Sequence, residues 1–122
     1  MAIPDYQTLM LPLLRIAANG KEHSRKEAID ILSKQFDLSA DELSALLPSG
    51  TQTIIYNRVG WAKTYMKKAG LLTTPKREHF QITDRGKELL QSNPDKINVK
   101  LPSRYDEFGT PEEALEYGIV KV

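Results

Sequence analysis

The sequence contains no cysteine and only two histidines among its 122 residues. The lack of cysteine excludes disulfides, thiolate zinc sites and thiol catalysis. His23 and His79 lie far apart in the chain, and neither has carboxylates beside it at the spacing of metal ligands. We therefore expect no metal site, and we interpret both histidines as surface or strand residues.

Long apolar runs and glycine-rich loops are also missing. The longest apolar run, residues 9–14, includes Pro12, and no basic segment leads into it from the N terminus. This argues against a signal peptide or a membrane span, so we expect a cytoplasmic protein with no membrane partner.

The residue patterns that support catalysis are missing as well. No glycine-rich phosphate loop occurs, and no acidic residue precedes a Glu/Asp-x-Lys motif of the metal-dependent nuclease type. We expect this chain by itself not to be an enzyme, and to have no cofactor and no small-molecule substrate.

Among the features that are present, the charge distribution points to a function. The composition, 40% apolar and 27% charged, is ordinary for a globular domain, which we place at residues 1–94, with residues 95–122 as a linker or C-terminal arm. The net charge is only +1, but residues 51–90 hold eight Lys or Arg against three Asp or Glu. A local basic field of this kind is expected where a surface meets phosphates. A solvated lysine face would explain it equally well.

Capping residues predict where the first three helices begin. Asp5 can cap a helix that runs to about residue 18, in which Pro12 predicts a kink or a late start. Ser24 opens a second helix that ends near Phe36, and Ser39 opens a third. Both serines have a glutamate three residues later, which is the capping-box spacing. The third helix is expected to bury Leu43, Leu46 and Leu47 and to end at residues 48–50.

The fourth helix, from about Thr51 to Gly70, carries an apolar stripe with spacings of 4, 3, 4 and 3 residues: Ile55, Val59, Ala62, Met66 and Ala69. The opposite side holds Asn57, Gly60, Lys63, Thr64 and Lys67. A helix with one apolar face and one exposed face of amide, ammonium and hydroxyl groups suits the major groove of DNA. Aromatic residues on a helix are usually core residues, and we interpret Trp61 and Tyr65 in that way.

A hairpin and a last helix follow. Residues 71–74 and 79–83 have the alternation of strands, and the turn between them, residues 75–78, is basic. Thr83 is expected to cap a helix from Asp84 to about Gln91. Residues 21–23 lie where many winged helices carry a minor first strand. The predicted fold is mainly α with a small β-hairpin, a winged helix-turn-helix.

This fold places the candidate DNA-binding residues on three elements. The fourth helix contributes Asn57, Arg58, Lys63, Thr64, Lys67 and Lys68; the hairpin contributes Lys76 and Arg77; and the start of the second helix, a potential phosphate clamp, contributes Ser24, Arg25 and Lys26. The expected partner is double-stranded DNA. For Asn57, Lys63 and Lys67, simple solvation is an equally good explanation.

Three segments resemble the N-terminal domain of Mrr-type restriction endonucleases. They are YNRVGWAKTYMKKAGLL at residues 56–72, ITDRGKELL at 82–90 and IPDYQTLMLPLLRIAANG at 3–20. The resemblance covers roughly residues 3–101. Its most specific part is the run from Asn57 to Ala62 together with Lys67 and residues 69–71, whereas a Thr-x-x-Gly helix start such as Thr83 to Gly86 occurs in many winged helices.

The resemblance implies a DNA-binding winged helix joined to a C-terminal nuclease domain. Such proteins use Mg²⁺ and restrict foreign DNA with methylated bases, so the parent protein is expected to be a type IV restriction endonuclease, with Mg²⁺ needed only for its nuclease domain. Asn57, Arg58 and Lys67 also match the family run. The chain lacks the catalytic half, which leaves open a piece of a longer enzyme or a separate DNA reader.

A protein-interaction or dimerisation module is the alternative from a different functional class. In that case Trp61 and Tyr65 would join Tyr105, Phe108 and Tyr117 in an apolar contact surface. Winged helices serve both purposes, so the fold alone does not decide the partner. Whether the domain forms a homodimer stays open at this stage.

Overall fold

The computed structural model of the protein describes residues 3–95 and residue 97. Five α-helices and three short strands make up this part of the chain, in an order that matches a winged helix-turn-helix and confirms the predicted mainly α fold. In chain order they are α1 (Tyr6–Ile16), a 3-10 turn (Ala17–Asn19), β1 (His23–Ser24), α2 (Arg25–Gln35), α3 (Ala40–Ser44), α4 (Ile54–Lys68), β2 (Leu72–Thr73), β3 (His79–Ile82) and α5 (Asp84–Gln91).

The sheet is antiparallel, with strand order β1-β3-β2. β1 is the minor first strand that the sequence predicted, and its His23 lies opposite Phe80. β2 and β3 form the wing, with Leu72 opposite Ile82. Because side chains alternate along a strand, β3 buries Phe80 and Ile82 on its inner face, as predicted.

The predicted caps are confirmed at four helix starts. The Asp5 carboxylate accepts a hydrogen bond from the Thr8 backbone N–H at 2.8 Å. Ser24, Ser39 and Thr83 each accept from the backbone N–H three residues later, and at Ser39 the second half of the capping box is also formed. α1 begins at Tyr6 and continues through Pro12, so the late start considered for this helix is not found.

The connection between α3 and α4 differs from the prediction. α3 ends at Ser44, and Ala45 is already extended, with ψ of 131°. The chain then folds back on itself, since Leu46 forms a bridge with Thr53 and the Ile54 N–H donates to the Ala45 carbonyl at 2.8 Å. Leu46 is therefore 57% exposed rather than inward, and α4 begins after its cap Thr53 rather than near residue 51.

Helix α4 is the centre of the domain. It packs against α1, α2, α3 and β2, most extensively against α1. The predicted apolar stripe is confirmed, since Ile55, Val59, Ala62 and Met66 are at most 1% exposed. Trp61 and Tyr65 are also in the core, as interpreted from the sequence, and the Tyr65 ring contacts that of Tyr6 at a centroid distance of 4.6 Å.

Candidate nucleic-acid interface

The polar side of α4 is not exposed, in contrast to the expectation of a free face. Asn57, Lys63 and Thr64 are 6%, 9% and 5% exposed. The physical reason is the position of α4, which has α1, α2, α3 and β2 packed around it. A pattern of polar residues on one side of a helix predicts solvent contact only if no other element covers that side. Contact of these three residues with DNA stays a prediction.

Two further residues predicted to contact DNA are held by other parts of the fold. The Arg58 guanidinium donates to the carbonyls of Ile3 and Pro4 at 2.7 and 3.3 Å. The Lys67 ammonium donates to the Thr74 hydroxyl at 2.5 Å. Arg58 therefore fixes the segment before α1, and Lys67 ties the end of α4 to the wing. Lys68, the sixth α4 candidate, is exposed.

The start of α2 and the tip of the wing lie together. Ser24 is opposite His79 in the sheet, and the Arg25 N–H donates to the Glu78 carbonyl at 2.8 Å. This pairing places Lys26 on one side and Lys76 and Arg77 on the other, all three of them exposed. We call Ser24, Lys26, Lys76 and Arg77 the α2–wing face. It joins two of the three predicted groups of DNA-binding residues on one surface.

Arg25 is buried in the fold rather than on this face, since it is only 1% exposed. Its Nε and one terminal nitrogen lie 3.1 and 3.2 Å from the two Glu78 carboxylate oxygens. The guanidinium also donates to the Tyr56 carbonyl at 3.3 Å and lies over the Tyr56 ring at 4.0 Å. The Tyr56 hydroxyl in turn donates to the Glu78 carboxylate.

These three side chains form a node that connects α2, α4 and the wing. Glu78 reaches it from a left-handed backbone conformation, with φ of 66°. Sequence reasoning missed Tyr56 and Glu78, although an acid in an otherwise basic turn is a signal that could have marked Glu78. The Arg25 guanidinium is engaged inside the domain, and its predicted contact with a DNA phosphate stays a prediction.

A cleft lies beside this node. Its volume is about 330 Å³, and it is open to solvent. Lys26, Ile29 and Asp30 of α2 line one side, since residues three and four positions apart share a helix face. The remaining lining residues are Ser24, Tyr56 and Glu78. The cleft thus brings a cation, apolar surface and carboxylates next to the exposed wing tip.

Beneath the α2–wing face, His23 holds β1 against the first turn of α2. His23 is 7% exposed, with Nδ1 2.6 Å from the Glu27 carboxylate and Nε2 2.9 Å from the Asn19 side-chain oxygen. The hydrogen bond with His23 is the main cause that holds the pKa of Glu27 below its usual value. His23 is thus a buried strand residue, and His79 lies in β3.

Within residues 3–95 and 97, no group of three or more His, Asp or Glu side chains is arranged to hold a metal ion. No helix there has the length and apolar character needed to cross a membrane. Of the residues of the alternative contact surface, Trp61 and Tyr65 are buried, and Tyr105, Phe108 and Tyr117 lie outside the described residues.

The chain is similar in sequence to a known restriction enzyme. The Escherichia coli (strain K12) protein described as "Type IV methyl-directed restriction enzyme EcoKMrr" is 28% identical over 120 residues. The match includes 87% of this chain but only 39% of the relative, so the chain spans well under half of that protein. No solved structure shows significant similarity to the chain. The sequence model of the family "Mrr N-terminal domain" matches residues 6–92. The chain therefore belongs to the Mrr N-terminal domain family.

Proposed function

We propose that this chain is the DNA-binding domain of a restriction endonuclease of the Mrr type. In this proposal it binds double-stranded DNA that carries methylated bases, and a separate Mg²⁺-dependent nuclease domain cuts that DNA. The Escherichia coli relative is a methyl-directed restriction enzyme, which supports methylated DNA as the target. The match to the family "Mrr N-terminal domain" supports the assignment to such an enzyme.

The observation that carries the proposal is the α2–wing face. The hydrogen bond from the Arg25 N–H to the Glu78 carbonyl joins the start of α2 to the wing turn, and Lys26, Lys76 and Arg77 on these two segments are exposed. Lys76 is partly neutralised by Glu22 at 3.4 Å, whereas Lys26 and Arg77 have no ion pair with any other described residue. Exposed lysine and arginine side chains on one surface favour contact with DNA phosphates.

The buried residues of α4 take a supporting role in this proposal. To contact DNA, the Arg58 guanidinium would have to leave two backbone carbonyls, and a half-buried acceptor that loses a charged donor costs about 1–3 kcal/mol. Arg25 would likewise have to break its ion pair with the Glu78 carboxylate. We therefore assign direct phosphate contacts to Lys26, Lys76 and Arg77, and we assign Arg58 and Arg25 to the scaffold that holds them.

Fluorescence anisotropy with a labelled duplex of about 20 base pairs, at two salt concentrations, tests the proposal. Neutralising phosphates releases counterions, so the affinity is expected to fall steeply as salt rises. Methylated and unmethylated duplexes titrated in parallel show whether base discrimination belongs to this domain. A mass that depends on protein concentration, together with no DNA affinity at low salt, would contradict the proposal and favour an interaction or dimerisation module.

A further inference from the structure

The two carboxylates in the cleft beside the wing are not equivalent. Both oxygens of Glu78 are engaged by Arg25 and Tyr56. Asp30 is exposed on α2, and its carboxylate makes no hydrogen bond or ion pair with the rest of residues 3–95 and 97. Asp30 is thus the acceptor in the cleft that remains available to a ligand, whereas Glu78 belongs to the node that shapes it.

The side chains next to Asp30 define what kind of ligand fits. Ile29 and the Tyr56 ring supply apolar surface directly beside the carboxylate. Lys26 stands one turn earlier on the same face of α2 and lines the cleft, and the exposed Arg77 directly precedes the lining residue Glu78 in the chain. The cleft therefore offers an acceptor next to an apolar wall, with the cation of Lys26 beside it to suit a phosphate of a nucleic acid.

Only one common base edge in the major groove matches this order of groups. Cytosine presents an N4 amino donor there, and a methyl group at C5 lies beside that donor. Thymine has the methyl group, but the O4 atom beside it is an acceptor, which a carboxylate repels. Guanine presents two acceptors and no donor at this edge. Adenine presents a donor but has no methyl group.

We propose that this cleft is the base-reading site of the DNA interface and that Asp30 is a specificity-determining residue. Asp30 accepts a hydrogen bond from the N4 amino group of a cytosine methylated at C5, and the methyl group packs against Ile29 and Tyr56. The inference rests on the proposed function, because it needs the α2–wing face to bind duplex DNA. It adds the identity of the base and the residues that read it.

Three sets of duplexes of about 20 base pairs test the two contacts separately. The sets share one sequence except that chosen pyrimidine positions hold cytosine, 5-methylcytosine or thymine, each with its matching partner. The wild-type protein is expected to bind the 5-methylcytosine set about 5-fold tighter, or more, than either other set, the lower end of what one specific base contact contributes. Anisotropy at one fixed salt concentration measures the ratios.

Two substitutions assign each ratio to a residue. Asp30→Ala removes the acceptor from an exposed helix position that tolerates alanine. It should bring the ratio of affinities for 5-methylcytosine and thymine close to one and leave the ratio for 5-methylcytosine and cytosine unchanged. Ile29→Ala should bring the ratio for 5-methylcytosine and cytosine close to one and leave the ratio for thymine unchanged, and its urea midpoint shows whether it is folded. Glu88→Ala on α5 is the control for charge, since it removes one negative charge outside the cleft.

The results separate the two levels of the proposal. Equal, salt-dependent binding of all three sets by the wild-type protein would overturn the base-reading site and leave the proposed function standing. An unchanged 5-methylcytosine to thymine ratio in Asp30→Ala would likewise overturn the role of Asp30, whatever the behaviour of Ile29→Ala. Absence of binding to every set would overturn the proposed function and this inference with it.

Discussion

Replacing Glu78 by glutamine tests whether the Arg25–Tyr56–Glu78 node holds the wing in place. The substitution keeps the length of the side chain and the backbone conformation, with its φ of 66°, but it removes the negative charge. Arg25 is 1% exposed, so its guanidinium would remain buried opposite a neutral amide. The Tyr56 carbonyl at 3.3 Å and the Tyr56 ring at 4.0 Å would still contact it.

The expected loss of stability follows from the burial of the two partners. Breaking a fully buried ion pair costs about 3–5 kcal/mol, because it leaves an uncompensated charge. The Glu78 side chain is 31% exposed, so water reaches part of the carboxylate and reduces the effect. The Tyr56 ring also keeps part of the cation's stabilisation. We therefore expect Glu78→Gln to lower the free energy of unfolding by about 2 kcal/mol.

Urea unfolding followed by circular dichroism measures this value, with Glu88→Gln, an exposed acid on α5, as the control expected to change stability by less than about 0.5 kcal/mol. A double-mutant cycle with Arg25→Met, which keeps the length of the stem, should give a coupling free energy of about 1–3 kcal/mol. Equal stabilities for Glu78→Gln and the control, or additive single substitutions, would refute the node.

Three further predictions concern other contacts. Gly86→Ala should lower the free energy of unfolding in urea by about 1–3 kcal/mol or more, since a Cβ there would lie 2.4 Å from the Leu71 carbonyl oxygen. A variant as stable as the wild type would show that the backbone shifts to accept the methyl group. The hydrogen bond from His23 lowers the pKa of Glu27 in the folded state. The ionised Glu27 carboxylate therefore contributes its full stabilisation of the fold above the usual pKa of 4.5, and this contribution is lost as the pH falls below 4.5 through the lowered pKa. Glu27→Gln should therefore lose less stability than wild type between about pH 6 and pH 3; equal losses for the two proteins over this range would count against the prediction. Arg58→Ala should lower stability by about 1–3 kcal/mol while the folded protein keeps its DNA affinity; a loss of affinity at unchanged stability would instead make Arg58 a contact residue.

The helix starts could be predicted because they depend on local sequence. A capping side chain binds a backbone N–H only three residues away, so Asp5, Ser24, Ser39 and Thr83 needed no knowledge of the tertiary fold. The wing was predictable for a similar reason, since a basic turn between two short alternating runs specifies a hairpin. The end of α3 was missed because a leucine beyond a short helix fits either a further helical turn or the extended loop that is found.

The site was predicted less completely, because burial depends on residues far away in the chain. The polar residues of α4 form a regular pattern, but the sequence does not show that four other elements surround this helix. Arg25 looked like a phosphate ligand until the structure placed Glu78, 53 residues later, against it. Lys26, Lys76 and Arg77 are exposed, as a contact with DNA requires, and that contact stays a prediction.

The salt dependence of DNA binding in two double variants tests most directly the claim that the α2–wing face carries the phosphate contacts. Lys26→Ala with Arg77→Ala removes two proposed contacts, and Lys34→Ala with Lys87→Ala removes two exposed lysines outside the face. Each phosphate that a variant no longer neutralises should make the slope of log affinity against log salt shallower by about 0.9. The slope of the first variant is expected to be shallower by about two units, and that of the second to stay unchanged. Equal slopes for the two variants would show that Lys26 and Arg77 do not contact phosphates.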